Sequence, residues 1–396
     1  MRILQITDDL PPAVLGGSGR IAWETAIGLR SAGHDVHILT AAEDGVFPAT
    51  EDGIAIHTIP LRGKRFAHFR SVFDRTRENE VLAVIKQVNP QIIHAHGLAW
   101  QMGYRWIAPS TTLGIPCVYT AHGVMTAAYG KVLEHHPHLS HDLKTMRWEF
   151  NPLRNFMIRS ALNRCASVIC VSDALRIFLA GTGLLHLVTL HNGIDLATWK
   201  ESASRDEARK RLNLPTDKCC FLFAGRIGHD KGSTALDLSL PDKSLLLVAG
   251  DARDGMFHRI NDRARVFPHQ SPEQMRLLYS ACDAAIVPSV YLDPFPTVCL
   301  EAMACSRPVI ATCFGGAREA VQDGVTGWLV NPQDTQALGD RLQWCMDHPD
   351  EVRAAGRNAR EHMERHFGID RYIERLLSIY AEATGSAKGS KKGMRQ

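Results

Sequence analysis

The 396-residue sequence lacks the features that mark membrane, secreted and strongly nucleic-acid-binding proteins. It contains no run of about eighteen apolar residues, so we expect no transmembrane helix. The first residues, MRILQITDDLPP, do not include an apolar segment long enough for a signal peptide. The formal net charge of +3 is too small to imply a nucleic-acid partner. These absences predict a cytoplasmic globular protein that binds no nucleic acid.

Patterns of paired cysteines and of metal ligands are also lacking. None of the ten cysteines stands in a Cys-x-x-Cys arrangement, and Cys219 and Cys220 are adjacent. This usage indicates small buried hydrophobic residues in a reducing compartment. His94 and His96 are spaced like a pair of ligands, but no matching third ligand accompanies them, so we expect no metal site.

What the chain does contain is an alternation of short apolar strands and helical segments. The strand-like segments form two groups on either side of the charged stretch SRDEARKRLNL: first MRILQIT, HDVHILTA, QIIHAH, CVYTAH and SVICVS, then CCFLFAGR, SLLLVAGD, RVFPH, AAIVPS, PVIATCF and GWLV. Such alternation predicts two α/β domains, each with a parallel sheet covered by helices.

The predicted domains are Rossmann-like and cover residues 1–196 and 197–380. The last helix is expected to pack back on the first domain. Residues 385–396, GSAKGSKKGMRQ, are small, polar and basic, which predicts a disordered tail. Ligands of open α/β sheets bind beyond the carboxyl ends of the strands, so the predicted site is a cleft between the domains.

The segment FAGRIGHDKG places Arg226 and Lys231 just beyond an apolar strand, in a loop that contains glycine. Two cations on one loop suit a diphosphate, because arginine offers a planar fork and lysine a mobile point charge. Two solvated loop charges are the alternative, and this segment alone does not decide between them.

The segment DPFPTVCLEAMAC is predicted to turn into a helix with Pro296 at the first helical position. The backbone N–H groups of Thr297, Val298 and Cys299 would then favour an anion. Glu301 follows about one turn further along, on an otherwise apolar element. Ribose hydroxyls would satisfy its carboxylate, and a donor within the protein is the alternative.

Asp293 lies in the loop before this helix and could accept hydrogen bonds from sugar hydroxyls. A turn or helix-capping aspartate is the commoner role beside proline. Two glycines in FGGAREAV follow a strand and would let the backbone approach a ligand, with a plain turn as the alternative.

In the first half, LPPAVLGGSGR is a glycine loop between a strand and a helix, with Gly16, Gly17 and Gly19. It is similar to a phosphate cradle but lacks the dinucleotide spacing G-x-G-x-x-G. His122 comes at the end of a strand and could contact a ligand at a reacting centre. An ordinary hydrogen-bonding histidine is the alternative.

Residues 62–77, RGKRFAHFRSVFDRTR, interleave six cations with Phe66, Phe69 and Phe73. A basic and aromatic surface of this kind can contact an anionic membrane or hold an anionic acceptor. A solvated helix face with a few apolar anchors is the alternative.

Taken together, these segments resemble the retaining glycosyltransferases of the GT-B fold, in the large family numbered four. The likeness covers nearly the whole chain and runs through the glycine loop, GHDVHILT, HAHG, VSDAL, HNGID, GRIGHDKG, LYSACDAAIVPS and residues 291–321. The resemblance implies an α/β GT-B architecture, with an acceptor domain and a nucleotide-sugar donor domain facing across a donor-binding cleft.

The resemblance also implies roles for individual residues. Arg226 and Lys231 match the positions that bind the donor diphosphate. Asp293 and Glu301 match the two acids of the E-x7-E motif, near the donor sugar and the ribose respectively. His122 matches the active-site histidine. The other implied donor-binding residues are Gly16, Gly17, Phe267, Phe295, Pro296, Thr297 and Val298.

The sequence departs from the family pattern near the donor. Asp293 replaces the first glutamate of the E-x7-E motif and is one methylene shorter. Pro296 stands where glycine is common and removes one N–H. Only a short helix or loop fits between DKG and SLLLVAGD, and the second glycine of the usual strand-end G-x-G is missing.

The activity implied is transfer of a hexosyl group from a UDP- or GDP-sugar to a hydroxyl acceptor with retention, in the biosynthesis of glycans, glycolipids or natural-product glycosides. Two protein cations would replace a divalent metal, so no cofactor is expected. An epimerase or phosphorylase of the same fold stays open as an alternative, and so does a non-catalytic scaffold that binds nucleotide sugars.

Overall fold

A computed structural model describes residues 1–12, 16–43, 45–63, 65–127, 151–250, 261–268 and 270–393, with side chains up to residue 385. The described residues form two compact units. One contains the residues up to Gly193 and those from Ile369 onward, and the other contains Ile194–Gly368.

The first unit is built on an eight-stranded sheet in the order β3-β4-β2-β1-β5-β6-β7-β8. All neighbouring strands are parallel except the short β3, which pairs antiparallel with β4. The strands are β1 (Arg2–Thr7), β2 (Asp35–Ala42), β3 (Thr50–Glu51), β4 (Ile54–Pro60), β5 (Ile92–His96), β6 (Cys117–Ala121), β7 (Ser167–Cys170) and β8 (Leu187–Thr189). The helices are α1 (Gly17–Ser31), α2 (Ala67–Phe73), α3 (Arg75–Val88), α4 (Ile107–Thr112), α5 (Pro152–Leu162) and α6 (Asp173–Ala180).

The second unit has a six-stranded, fully parallel sheet in the order β11-β10-β9-β12-β13-β14. Its strands are β9 (Cys219–Ala224), β10 (Ser244–Ala249), β11 (Ala264–Phe267), β12 (Ala284–Val287), β13 (Val309–Thr312) and β14 (Gly327–Val330). Its helices are α7 (Arg205–Arg211), α8 (Ser233–Ser239), α9 (Pro272–Ala281), α10 (Thr297–Ala304), α11 (Ala317–Ala320), α12 (Thr335–Asp347) and α13 (Pro349–His366).

Both sheets are held by continuous apolar strands. The residues of β10 are all buried, as expected for a parallel strand with helices on both faces. The two-domain α/β fold class predicted from the alternating pattern is confirmed. Three strands lie outside the predicted segments. β3 is only two residues long and β8 three, and β4 alternates buried residues with half-buried or exposed ones.

The last helix, α14 (Ile369–Gly393), lies in the first unit. A Cβ at Gly28 of α1 would come within 2.6 Å of the Ile373 side chain, so glycine is what lets the two helices pack this closely. The Tyr380 hydroxyl lies 2.6 Å from Nδ1 of His94, which ties the helix to β5.

The helix α14 continues into the segment predicted to be a disordered tail. It runs to Gly393, and residues 394–396 lie outside the described residues. No proline interrupts this segment, so the hydrogen bonding of the buried upstream turns is able to continue. The irregular structure expected from residue 385 is therefore not what the structure contains.

Candidate functional site

Several residues that the sequence singled out as ligand contacts follow the carboxyl ends of three neighbouring strands in the second unit. Arg226 and Lys231 follow β9, Asp293 follows β12, and Gly315 and Gly316 follow β13. Because β9, β12 and β13 are adjacent in a parallel sheet, their outgoing loops meet at one edge. The sheet thus brings together segments that are far apart in the sequence.

Lys231 and Asp293 are in direct contact at this edge. Nζ of Lys231 donates to Oδ2 of Asp293 at 2.6 Å, and the same oxygen accepts from Oγ of Ser289 at 3.1 Å. The Lys231 ammonium group also lies 5.1 Å from the centre of the Tyr291 ring, within the range of a cation–π interaction. Asp293 is 5% exposed, so its carboxylate is held in a largely protein environment.

This environment keeps Lys231 charged. Burial lowers the pKa of its ammonium group, but the charge of Asp293 and the contact with Tyr291 outweigh burial, and the pKa lies above its ordinary value. An ammonium group has three donors, so the contacts with Asp293 and Tyr291 leave at least one available to a ligand.

The glycine pair after β13 permits contact within the protein. Gly315 has a φ of +62°, and a Cβ there would lie 2.3 Å from the carbonyl oxygen of Asp293. That same carbonyl accepts a hydrogen bond from the N–H of Gly316 at 2.9 Å. The close approach that the sequence suggested toward a ligand is here an approach to the backbone of Asp293.

Arg226 occupies a more open position than Lys231. Its side chain is 59% exposed, and Nη2 donates to Oδ2 of Asp230 at 2.6 Å. An exposed pair of this kind contributes little to stability, so the guanidinium could exchange this partner for a phosphate at small cost.

The helix α10 begins one residue later than predicted. Pro296 precedes the helix as its N-cap, with φ −67° and ψ 116°, and Thr297 is the first helical residue. The N–H of Cys299 donates to the carbonyl of Pro296 at 3.0 Å. The prediction that this N–H is free was therefore wrong. Among the described residues, the N–H groups of Thr297 and Val298 have no hydrogen-bond partner.

Glu301 is 4% exposed, and it has a donor within the protein. The hydroxyl of Tyr279, from the end of α9, donates to Oε2 of Glu301 at 3.0 Å. Tyr279 is completely buried and was not singled out in the sequence, where it stands in an ordinary apolar helical pattern. Its tyrosine hydroxyl in the last helical turn was the available signal, since a buried hydroxyl needs a partner.

Two phenylalanines predicted to bind the donor have contacts within the protein. Phe295 is 5% exposed, and its ring lies 5.9 Å from that of Phe367. Phe267 ends β11, and its carbonyl accepts from the N–H of Gly250 at 3.1 Å. Both residues stay predictions as donor contacts.

The glycine loop of the first unit leads into α1. Gly16 is the N-cap in an extended conformation with open space around it, and Gly17 is the first helical residue. Gly19 is the position with a steric need for glycine, because a Cβ would lie 2.9 Å from the carbonyl oxygen of Asp9. Residues 13–15 of this loop lie outside the described residues.

His122 directly follows β6 at the carboxyl edge of the first sheet. Its Nε2 lies 3.0 Å from Nδ1 of His96, the last residue of β5. Burial lowers the pKa of the His122 imidazole to about 4, so the ring is neutral at physiological pH. Among the described residues, the structure contains no group of three His, Cys, Asp or Glu side chains able to hold a metal ion.

Asp8 is a further buried acid that sequence reasoning missed. It follows β1, is 3% exposed, and accepts hydrogen bonds from the backbone N–H groups of Trp100 and Met102. Burial raises the pKa of its carboxyl group to about 7 despite these bonds. Its position directly after an apolar strand, as in Asp8-Asp9, was the signal that could have found it.

Within the basic and aromatic segment, residues 67–73 form α2 and residues 75–77 begin α3. Phe66 is 59% exposed and Phe69 55%, whereas Arg62 is paired with Asp74 and Glu80. Among the described helices, none combines the length and the apolar composition of a membrane-spanning segment.

Family models of glycosyltransferases match both units. The Glycosyltransferase Family 4 model matches residues 15–198, and the model of glycosyl transferases group 1 matches residues 204–362. An α-maltose-1-phosphate synthase from Mycolicibacterium smegmatis is 29% identical, over 97% of this chain and 100% of that protein.

Solved structures share the fold. Sucrose-phosphate synthase from Thermosynechococcus elongatus has a TM-score of 0.79 and 21% identity, covering 97% of this chain and 99% of that one. Anabaena HepE, solved in complex with UDP-glucose, has a TM-score of 0.73 and 20% identity, covering 96% and 99%. With two parallel-sheet units and a glycosyltransferase family model on each, the chain belongs to the group 1 glycosyltransferases of the GT-B fold.

Proposed function

We propose that the chain moves a hexosyl group from a nucleotide-diphosphate sugar to a hydroxyl acceptor, with retention at the anomeric carbon. The observation that carries this proposal is the Lys231–Asp293 pair, which holds a charged ammonium group and a carboxylate together at the carboxyl edge of the sheet. An ammonium group suits a diphosphate, and a carboxylate suits sugar hydroxyls. One small site therefore offers partners for both halves of the donor.

Breakage of the glycosidic bond develops negative charge on the leaving nucleoside diphosphate. Lys231 would stabilise this charge, and the exposed Arg226 would add a second cation. The N–H groups of Thr297 and Val298, at the start of α10, would donate to phosphate oxygens. Preorganised donors and cations of this kind are usually the largest contribution to such catalysis.

Asp293 and Glu301 have distinct roles in the proposal. Asp293 keeps Lys231 in place and accepts from a hydroxyl of the donor sugar through its remaining lone pairs. Glu301 accepts from ribose hydroxyls, with Tyr279 fixing its orientation. Phe267, Phe295, Pro296, Gly16 and Gly17 remain proposed neighbours of the donor.

No carboxylate is assigned as a covalent nucleophile. The acceptor hydroxyl attacks the anomeric carbon from the face on which the diphosphate leaves, and a leaving phosphate oxygen takes the acceptor proton. The bond to the acceptor oxygen forms as the bond to the phosphate oxygen breaks, so the configuration is retained. Two protein cations supply the positive charge in this scheme, and no metal or other cofactor is included.

The comparisons support a nucleotide-sugar donor. Anabaena HepE binds UDP-glucose and shares the fold over nearly the whole chain. UDP- and GDP-sugars are the donors proposed for this chain. The acceptor hydroxyl would be bound by the first unit, with His122 near the donor sugar.

The proposed location is the cytoplasm, with peripheral contact at an anionic membrane face through residues 62–77. Phe66, Phe69 and Phe73 are all exposed, and Phe69 and Phe73 lie with their ring centres 4.4 Å apart. Arg65 and Arg75 are exposed and form no ion pair with any carboxylate of the described residues. Exposed cations beside exposed aromatic rings favour an anionic lipid surface.

Calorimetric titration with UDP and GDP, together with donor-hydrolysis and transfer assays, tests the proposal. We expect saturable binding of one nucleotide, slow hydrolysis of its sugar donor, and transfer that NMR of the product shows to retain the anomeric configuration. A product of inverted configuration would contradict the mechanism.

Other outcomes distinguish the alternative activities. Conversion of the donor sugar without any acceptor would indicate an epimerase, and sugar release that depends on inorganic phosphate would indicate a phosphorylase. Nucleotide binding without turnover on a broad acceptor panel would indicate a scaffold.

A further inference from the structure

Three histidines form a continuous stack across β5 and β6 in the first unit. His94 and His96 point to the same face of the sheet because they are two residues apart in β5. Their ring centres are 4.0 Å apart with the planes tilted by 42°. The ring centres of His96 and His122 are 5.3 Å apart with an angle of 19° between the planes. His96 therefore lies between the other two rings.

The inner end of the stack is held on both ring nitrogens. Nδ1 of His94 lies 2.6 Å from the Tyr380 hydroxyl of α14, and its Nε2 lies 2.7 Å from Oγ1 of Thr120. His94 and His96 are completely buried. His94 therefore presents a fixed surface against which His96 packs.

All three imidazoles are neutral at physiological pH. Burial is the largest cause in each case: it lowers the pKa of His94 to about 3 and that of His122 to about 4, and it lowers the pKa of His96 well below its ordinary value. In a neutral pair, a single proton lies between Nδ1 of His96 and Nε2 of His122. The tautomers of the two rings are consequently coupled.

The other nitrogen of His96 decides which ring donates. Nε2 of His96 is buried and has no hydrogen-bond partner among the described residues. If His122 donated, His96 would carry its proton on this nitrogen, and a buried N–H without an acceptor is rare and costly. If His96 donates from Nδ1, its Nε2 carries only a lone pair, and no buried N–H is left without an acceptor.

We propose that His96 is a positioning residue, which donates from Nδ1 to Nε2 of His122 and so holds His122 in the tautomer with its proton on Nδ1. His122 then presents an N–H donor toward an oxygen of the sugar donor. This use of the tautomer depends on the proposed function, whereas the tautomer itself does not. Among the described residues, Nδ1 of His122 has no hydrogen-bond partner, so this nitrogen is the one left for a ligand.

Long-range proton–nitrogen correlation spectra of the full chain with ¹⁵N-labelled histidine test the tautomer directly. His122→Gln identifies the His122 signals by their loss. We expect a single tautomer protonated on Nδ1 in the parent protein, and in His96→Leu a shift to the Nε2-protonated form that free imidazole side chains prefer. His122 protonated on Nε2 in the parent, or an unchanged tautomer in His96→Leu, would overturn the proposal.

Two variants separate positioning from general damage to the core. His96→Asn keeps a donor near the position of Nδ1, and we expect it to preserve the tautomer even if His96→Leu folds poorly. His57→Leu is the matched control, because His57 and His37 form a similar stacked pair. Nδ1 of His37 lies 3.0 Å from Nε2 of His57, and the ring planes are 20° apart. The two residues lie on strands away from His122. A change of the His122 tautomer in His57→Leu would overturn the assignment to His96.

Kinetics supply the functional measurement. We expect His96→Leu to lower kcat about tenfold to a hundredfold, because it weakens a preorganised hydrogen-bond donor at the reacting centre, with the donor KM changed less than about threefold. An unchanged kcat in an active enzyme would overturn the role in catalysis. Absence of transferase activity in the parent protein would contradict the proposed function, while the spectra would still decide the role of His96.

Discussion

Lys231 and Asp293 lie 62 residues apart in the chain and are joined by a hydrogen-bonded ion pair of 2.6 Å. The sequence suggested separate partners for them, a diphosphate for the lysine and a sugar hydroxyl for the aspartate. Their contact couples the two predicted roles. A change at either residue should therefore affect the position of the other.

Replacement of Lys231 by alanine is expected to lower kcat by about two to three orders of magnitude, since it removes a charge that stabilises the leaving diphosphate. The free energy of unfolding should also fall by about 3 kcal/mol, because Asp293 is left buried without its partner. This value is at the lower end of the loss expected when one partner of a buried ion pair is removed, because the Lys231 side chain is 26% exposed. Steady-state kinetics and chemical denaturation measure the two effects.

Lys243→Ala is the matched control for Lys231, since Lys243 is an exposed lysine of the same unit. It should leave both kcat and stability nearly unchanged. Near-normal turnover in folded Lys231→Ala would contradict the assignment of Lys231 to the diphosphate.

Glu301→Gln is expected to raise the donor KM about tenfold, because a neutral amide binds ribose hydroxyls less strongly than a carboxylate does. The glutamine oxygen still accepts from Tyr279, so stability should change little. Calorimetric titration with the nucleotide measures the loss directly.

Tyr279→Phe separates the structural bond of Glu301 from its proposed contact with ribose. This variant should lose about 1 kcal/mol of unfolding free energy with the Tyr279–Glu301 hydrogen bond. Donor affinity should change less than in Glu301→Gln. If Tyr279→Phe impaired nucleotide binding more than Glu301→Gln did, the carboxylate would have only a structural role.

Contact with an anionic membrane is expected to depend on the exposed aromatic residues of α2. The protein should sediment with vesicles that contain phosphatidylglycerol and much less with vesicles of phosphatidylcholine alone, and added salt should weaken the interaction. Phe69→Ser should reduce the partition coefficient about tenfold, since inserting this ring contributes on the order of 1.5 kcal/mol.

Ile177→Ser provides the comparison for Phe69→Ser, because Ile177 is 63% exposed on α6, outside the segment 62–77. Vesicle binding should be unaffected by this change. Equal losses in the two variants, or equal binding to neutral and anionic vesicles, would contradict the membrane proposal.

Asp8 is expected to make stability depend on pH. Its folded-state pKa of about 7 is above the value of about 4 in an unfolded chain. Ionisation of Asp8 therefore destabilises the folded state relative to the unfolded chain. The unfolding free energy of the parent protein relative to Asp8→Asn should therefore fall as pH rises from 4 to 7, by at most about 1.4 kcal/mol per pH unit. Denaturation curves across this range measure the difference.

Asp52→Asn is the matched control, because it makes the same substitution at an exposed position. Its unfolding free energy should stay close to that of the parent protein. A difference between the parent and Asp8→Asn that stays constant from pH 4 to 7 would show that Asp8 has no raised pKa.

Much of the fold was predictable because its causes are local. Continuous apolar segments such as SLLLVAGD form strands buried on both faces, and their alternation with helices predicts parallel sheets. Three strands lack this signal: β3 and β8 are only two and three residues long, and β4 alternates buried residues with half-buried or exposed ones. The predicted disordered tail differed from the structure because it was inferred from composition alone. Composition gives no information on the helix that continues into this segment from Ile369.

The candidate site was predictable as a set of loops but not as a set of contacts. Polar residues after apolar strands pointed to Arg226, Lys231 and Asp293. Tyr279 was missed because a tyrosine in an apolar helical pattern usually belongs to the core. The position of Pro296 was off by one, since a proline suits both the N-cap and the first helical position and local geometry decides between them.

The two α/β units follow from the sequence alone, since hydrophobic patterns and strand–helix alternation act over short distances. Contacts between distant segments come from the folded arrangement instead: Lys231 meets Asp293, Tyr279 donates to Glu301, and His96 lies between His94 and His122. These pairings depend on strand order, register and packing, which bring distant segments together. The charge and hydrogen bonds of the site follow from those contacts.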